Sequence, residues 1–253
     1  MGGADRVDGG ITLRVESSDG GSVPLRLAAK RMVNLGSATR KAETARAHQE
    51  EVAKDGIHIA FDVPAPRIYP IAAQVLTTDE EVQVQGSHTS GEVEIVVVAT
   101  GGRLYVGVGS DHTDRALEQT SIQWSKQACA NVIAPVLWPL DDVAEAWDRF
   151  VLKSWVDGRL YQDVGTAAFL RPEDMLRIVH ERAPGLPQDA LVIFGGTIVS
   201  LDKRLGFGRR WEFALEDPQT GRTIRHGYDV VDITQAIAEP FRVPLRNPAP
   251  SHA

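Results

Sequence analysis

Residues 92–111, EVEIVVVATGGRLYVGVGSD, constrain the fold more than any other stretch of the chain. An apolar run, Ile95 to Val98, is followed by the turn signal Thr100-Gly101-Gly102 and a second apolar run, Leu104 to Val108. Two such runs about a glycine pair read as paired strands. Glu92 and Glu94 stand two apart at the mouth of the first strand, so both project from one face. The second strand delivers Asp111 and, just beyond it, Asp114. If the strands pair, Asp111 comes alongside Glu92 and Glu94. Three ionised carboxylates at that range repel unless a cation lies between them, and an all-oxygen set suits hard Mg²⁺, Mn²⁺ or Ca²⁺. A divalent metal held by Glu92, Glu94 and Asp111 is the central expectation.

Composition limits the rest. At 253 residues with 43% hydrophobic content, the chain can bury a sizeable core. A net charge of −7 without a Lys/Arg-rich run argues against nucleic acid or an anionic membrane as partner. The lone Cys129 rules out an internal disulfide framework and suits a reducing cytosol. No apolar stretch approaches the roughly 20 residues of a membrane span, and the opening residues lack a signal-peptide pattern. The expectation is a soluble, cytoplasmic protein. Its 23 glycines and 14 prolines point to many turns and a β-rich body.

In order along the chain, residues 1–10 read as a flexible tail, and Ile11 to Val15 with Val23 to Leu27 as a hairpin. Residues 39–54 read as a helix with Thr39 as N-cap and Asp55-Gly56 as its stop. His48 and Glu51 share a face of it. They are either part of a solvated charged face or a general-base imidazole whose tautomer a carboxylate fixes. The Pro-rich segment from Val63 to Pro70 is expected to stay outside any sheet. Val75–Leu76 and Val82–Val84 read as short strands, and Leu117, Ile122, Trp124 and Val132 as core. Lys126 reads as a surface charge or, beside an acidic metal site, as an ammonium that stabilises an enolate or carboxylate. Residues 140–152 read as an amphipathic helix with Val143, Trp147, Phe150 and Val151 inward, and residues from Arg171 as a second helix with Met175, Leu176 and Val179 inward. Ala190 to Phe194 reads as a strand running into Gly195-Gly196-Thr197, where two glycines permit close approach of a ligand or mark a tight strand exit. Residues 211–231 read as a further hairpin, and the tail beyond Pro240 as wrapping the surface.

Taken together, Gly-Glu-Val-Glu, a Gly-Ser-Asp element with a nearby Arg115, then Lys126, Tyr-Gln-Asp and Phe-Gly-Gly-Thr resemble the fumarylacetoacetate hydrolase superfamily. The stretches TSGEVE, GSDHTDR and SKQ are similar to its DUF2848 branch over roughly residues 40–230. The resemblance implies an α+β, mainly β fold: a mixed β-sheet roll with flanking helices, assembled as a homodimer. It divides the chain into a hairpin and helical lid segment at 1–62 and a catalytic domain at 63–253.

By the same resemblance, Glu92, Glu94 and Asp111 match ligands for Mg²⁺ or Mn²⁺. Lys126 matches a substrate-facing lysine, while Gln162, Gly196, Thr197 and Arg115 are expected against substrate. Thr197 is the residue that receives a substrate carboxylate. His48 and Glu51 look like a water-activating pair on a lid helix. The pattern departs from the family in a short interval between Glu94 and Asp111 and in the order Asp111-His-Thr-Asp114-Arg. His112 has no family counterpart and is read mainly as a supporting residue facing away from Asp111. The implied activity is hydrolysis of a carbon–carbon bond in a β-dicarbonyl or acylpyruvate-type oxo acid. Decarboxylation, isomerisation and dehydration are alternatives. A non-catalytic, metal-stabilised binding protein also stays open, as does a metal-free module whose three carboxylates lie on the surface paired with Arg103 and Arg115.

Overall fold

The computed structural model describes residues 10–57 and 63–244. The first strands are β1 (Ile11–Glu16), β2 (Ser22–Leu27), β3 (Arg31–Gly36), β4 (Arg67–Ile71), β5 (Leu76–Thr77), β6 (Glu81–Val84), β7 (Thr89–Ser90), β8 (Val93–Thr100) and β9 (Arg103–Asp111). They are followed by β10 (Thr113–Asp114), β11 (Asn131–Ile133), β12 (Val136–Pro139), β13 (Val151–Val156), β14 (Arg159–Gly165), β15 (Leu191–Phe194), β16 (Arg210–Glu216) and β17 (Thr223–Asp232). The α-helices are α1 (Ala42–Ala53), α2 (Arg115–Glu118), α3 (Ile122–Gln127), α4 (Leu140–Val143) and α5 (Pro172–Arg182).

A ten-stranded sheet runs β2-β1-β12-β9-β8-β15-β3-β4, with β11 and β5 attached beside β9. It is mixed: β1 with β12 and β3 with β15 are parallel, and the remaining neighbours along that path are antiparallel. A five-stranded sheet, β14-β13-β16-β17-β6, packs on one of its faces. Strand β8 shows how. Val93, Ile95, Val97 and Ala99 point into a core shared with Leu152, Phe213, Leu215 and Tyr228 of the second sheet. Val96 and Val98 point the other way, among Ile11, Leu13, Met32, Ile71, Val192 and Phe194. Alternation along an extended strand produces that split. Ile11 on β1 and Ile71 on β4 come from near opposite ends of the strand order yet share one cluster, so the large sheet curls into a roll. Each fully buried β8 side chain stabilises the fold by about 1.5–3 kcal/mol, which anchors the strand that carries the acidic residues.

Several local expectations are corrected. Helix α1 begins at Ala42 after Lys41, not at a Thr39 cap, because Thr39 is tied to Phe169 by a β-bridge and its hydroxyl donates to the Lys41 carbonyl. Pro70 does lie in a strand: β4 is an edge, whose outer side needs no N–H donor. The expected helix at 140–152 is instead α4, a 3-10 turn at Trp147–Arg149 and the start of β13. Val143, Trp147 and Phe150 are buried all the same, and pairing of β13 with both β14 and β16 overrides the helical spacing. Val75 ends a 3-10 turn before the two-residue strand β5. Trp124 is exposed rather than core. The readings of residues 1–9 and of the tail from 245 lie outside the described residues. Among the described residues no helix is long and apolar enough to cross a membrane.

Candidate active site

The site begins with the β8–β9 register. Gly101 and Gly102 turn the chain with φ of 60° and 72°, and the ladder then runs from Thr100↔Arg103 to Val93↔Ser110. One step further, the Asp111 N–H donates to the Glu92 carbonyl at 3.0 Å. Directly opposed residues of an antiparallel pair share a face, so Asp111 and Glu92 project together, with Glu94 two residues along. One oxygen from each of Glu92, Glu94 and Asp111 lies within 4.8 Å of the others. All three carboxylates are buried, which excludes the surface-residue reading.

Cations of the protein meet this cluster on one side. Lys126 Nζ donates to Glu92 Oε2 at 3.0 Å and to Asp111 Oδ2. Arg115 donates to Glu92 Oε1 at 2.9 Å. Burial disfavours the Glu92 anion, but Lys126 and then Arg115 outweigh it and hold this carboxyl well below its usual range. Glu94 behaves oppositely: burial, reinforced by Asp111, pushes it well above the usual range. Burial likewise raises Asp111 to about 6, with Lys126 opposing and Glu92 reinforcing. Fully ionised, the three carboxylates would carry one more negative charge than Lys126 and Arg115 offset, and the upward shifts of Glu94 and Asp111 mark the cost of that state without a further cation. A buried all-oxygen set whose ionised form needs a further cation fits a hard divalent ion.

Helix α1 places a second pair over the cluster. His48 Nδ1 lies 3.0 Å from Glu51 Oε2, and Nε2 lies 3.6 Å from Glu92 Oε1. Glu51 is fixed from behind: its Oε1 accepts the Ser200 N–H at 2.9 Å and the Ser200 hydroxyl. Val52 packs on Leu205, which seats the helix on the 200–205 loop. Burial opposes a charged His48 ring, but Glu51 and Glu92 outweigh it and raise the imidazole to about 9.

His48, Glu92, Glu94, Lys126, Gly196 and Thr197 line one cavity of about 50 Å³. Two of the residues expected against substrate are placed behind it instead. Arg115 is 1% exposed, with its nitrogens donating to Ser90, Glu118 and Glu92, so it braces carboxylates rather than a ligand. Gln162 is equally spent: Oε1 accepts from Ser154 and Val93, and Nε2 donates to Thr197 Oγ1 at 2.9 Å and to Ile198 O. Because Thr197 accepts from Gln162, its own hydroxyl proton remains to be donated. Gly196 has φ of 78° and a Cβ there would meet the Leu35 carbonyl at 2.5 Å, while its N–H donates to Glu94 Oε2 at 2.9 Å. Glycine is required, and its amide serves Glu94. Asp114 caps α2 through the Leu117 N–H. His112 bonds Tyr228 and Thr89 at 2.9 Å, and burial, then Arg115, lowers it to about 3, so it is a neutral strut.

Ser37, Gln49, Arg67 and Tyr69, which belong to none of the sequence motifs, line the same cavity. The alternation of Arg67 and Tyr69 along β4 is the one sequence signal of them, and the surrounding prolines mask it.

The family model described as "Protein of unknown function (DUF2848)" matches residues 36–228. No curated protein matches the chain. Among solved structures, the fold is similar to a yeast fumarylacetoacetate hydrolase family protein, ynq8, at 14% identity and a TM-score of 0.54, covering 80% of this chain and 93% of that one. It is similar to 5-carboxymethyl-2-hydroxymuconate delta-isomerase from Mycobacterium smegmatis at 17% identity and 0.56, covering 84% and 85%. It is also similar to maleylpyruvate hydrolase from Sphingobium sp. SYK-6, solved with manganese (II) ion and pyruvate, at 13% identity and 0.55, covering 83% and 77%. The chain belongs to the DUF2848 family, and its fold is that of the fumarylacetoacetate hydrolase family.

Proposed function

We propose that this protein is a divalent-metal-dependent enzyme, using Mg²⁺ or Mn²⁺, that hydrolyses a carbon–carbon bond in a β-dicarbonyl or acylpyruvate-type oxo acid. The observation that carries the reading is that Glu92 joins two sets: it clusters with the Glu94 and Asp111 oxygens, and it faces His48, itself paired with Glu51, with Glu92, Glu94 and His48 all lining one cavity. A cation held by those three carboxylates would supply Lewis-acid polarisation of a chelating carbonyl. His48, when neutral, takes a proton from water at Nε2 while Glu51 holds the Nδ1 proton. The water oxygen joins the acyl carbon, the carbon–carbon bond breaks, and the leaving carbon recovers a proton from the imidazolium. Lys126 shares the negative charge of the departing enolate, and the Thr197 hydroxyl donates to a substrate carboxylate. Gln162, Gly196 and Arg115 position these groups.

A specific observation favours a second reading. His48 raised to about 9 is an imidazolium at neutral pH and supplies acid rather than base. In that state the site suits decarboxylation, isomerisation or dehydration through the same enolate. A screen of short oxo acids with Mg²⁺-loaded protein, following loss of enol absorbance and release of carbon dioxide, separates the two. Enol loss into two carboxylic or keto fragments supports hydrolysis; carbon dioxide release or simple tautomerisation supports the second. Silence on all of them, with metal bound, leaves a metal-stabilised binding protein. We also read the enzyme as a cytoplasmic homodimer, a state consistent with the exposed Val231, Ile233, Ile237, Phe241 and Val243 near its end.

A further inference from the structure

Glu118 is a buried acid of the cavity that the mechanism does not use. It ends α2, is 6% exposed, and lines the cavity together with Glu92, Glu94 and Lys126. Arg115, three residues before it, shares its face of the helix. The Arg115 guanidinium donates through Nη1 to Glu118 Oε2 at 2.6 Å and through Nη2 to Glu92 Oε1 at 2.9 Å. Its Nε donates to the Ser90 hydroxyl at 2.6 Å, so the planar group is held at every edge. One guanidinium thus spans the two carboxylates and fixes Glu118 beside the acidic cluster.

Among the described residues Arg115 is the hydrogen-bond partner of Glu118, and it engages Oε2; Oε1 takes no hydrogen bond there. Lys126 is spent on Glu92 and Asp111. Ile122, at the start of α3, lines the same cavity and offers no donor. Arg67, which also lines it, stands on β4 and donates to the Ser37 hydroxyl at 3.4 Å. A carboxylate oxygen held out of water without a donor is costly, and a ligand that supplies the donor removes that cost.

Charge points to the kind of donor. Fully ionised, Glu92, Glu94, Asp111 and Glu118 set against Lys126 and Arg115 leave two negative charges, which one divalent ion offsets. An oxo acid brings a further negative charge with its head. A second carboxylate on it would meet Glu118 as a like charge. A protonated amine would instead form a charge-assisted hydrogen bond and restore the balance.

We propose that Glu118 Oε1 accepts a hydrogen bond from a protonated amine of the substrate, so that the site takes amino-substituted oxo acids in preference to dicarboxylic ones or to those with a bare hydrocarbon chain. The inference rests on the reading of the cluster as the site that holds the oxo-acid head. It makes Glu118 a residue that sets substrate class.

The test is binding to the Mg²⁺-loaded full chain, by calorimetry, of N-(2-aminoethyl)oxamate, N-propyloxamate and N-(carboxymethyl)oxamate. These share the head of a 2-oxo acid, have no enolisable carbon, and differ at the far end as ammonium, methyl and carboxylate. Wild type is expected to prefer the aminoethyl compound over the propyl one by about ten-fold or more, with the carboxymethyl compound weakest. Glu118→Gln, which keeps the shape and removes the charge, is expected to abolish that preference by weakening the aminoethyl compound alone. Equal binding of the three by wild type, tightest binding of the carboxymethyl compound, no binding of any, or a preference kept in Glu118→Gln each overturns the inference. Should Glu118→Gln fail to fold, Glu118→Asp withdraws the oxygen by one methylene and is expected to reduce the preference; full retention contradicts the inference on its own. Because the readout is binding, an ammonium preference in a protein that turns over no oxo acid sinks the proposed activity alone. Turnover without that preference sinks the Glu118 inference alone.

Discussion

The Asp111 backbone N–H donates to the Glu92 carbonyl over 3.0 Å, so the pairing of two strands, not a loop, sets the separation of their carboxylates. That bond continues the ladder begun at Gly101-Gly102, and the cluster inherits the rigidity of the core. The consequence is a buried acidic centre held together before any ligand arrives.

Arg115 is bound to Glu92 and Glu118 at 1% exposure. Arg115→Met leaves both acids buried without their partner, and breaking a buried pair costs about 3–5 kcal/mol. Thermal melting is expected to show that loss in metal-free protein. A variant of unchanged melting temperature with a raised KM would restore Arg115 to the substrate-binding role.

His48 is raised to about 9 by Glu51 and Glu92 against burial. Removing the Glu51 charge in Glu51→Gln is expected to lower the His48 pKa by a unit or so, toward 6.5. Titration of the His48 ring protons by NMR reads the shift directly. A pKa unmoved by the substitution would mean that Glu51 does not govern the ring. In turnover, His48→Ala is expected to abolish hydrolysis and spare metal affinity.

Asp111 is raised from 3.8 to about 6, and Glu94 is raised well above its usual range by burial and by Asp111. A carboxyl whose folded value exceeds its unfolded one favours the fold most at low pH, and that contribution fades as pH rises through about 6. A divalent cation needs the deprotonated forms. The rise in melting temperature on adding Mn²⁺ is therefore expected to be small at pH 5 and to grow up to pH 7. A rise of equal size at both values contradicts the coupling of metal to these protons.

Gly196→Ala introduces a Cβ 2.5 Å from the Leu35 carbonyl at φ of 78°. The strain costs about 1–3 kcal/mol and shifts the amide that holds Glu94. Both melting temperature and metal affinity are expected to fall. Full retention of the two would show that the turn relaxes freely.

The sequence disclosed what local chemistry fixes. Glycine pairs marked the β8–β9 turn, alternation marked the strand faces, and three-residue spacing placed His48 and Glu51 together. Placements decided by tertiary pairing were hidden. Residues 140–152 carry helical spacing, but β14 and β16 take Val151–Val156 as a strand between them. Pro70 reads as a breaker, yet an edge strand tolerates it, and that hides the strand carrying Arg67 and Tyr69. Arg115 and Gln162 are polar residues beside motif elements, and no local signal tells that both are buried and bonded to neighbouring protein groups.

The central claim is that Glu92, Glu94 and Asp111 hold one divalent cation. Calorimetric titration of chelator-treated protein with Mn²⁺ tests it most directly. One ion per chain is expected, with affinity falling at least about 100-fold in the Glu92→Ala/Asp111→Ala double variant. Absence of binding to wild type, or binding undiminished in the double variant, contradicts the account.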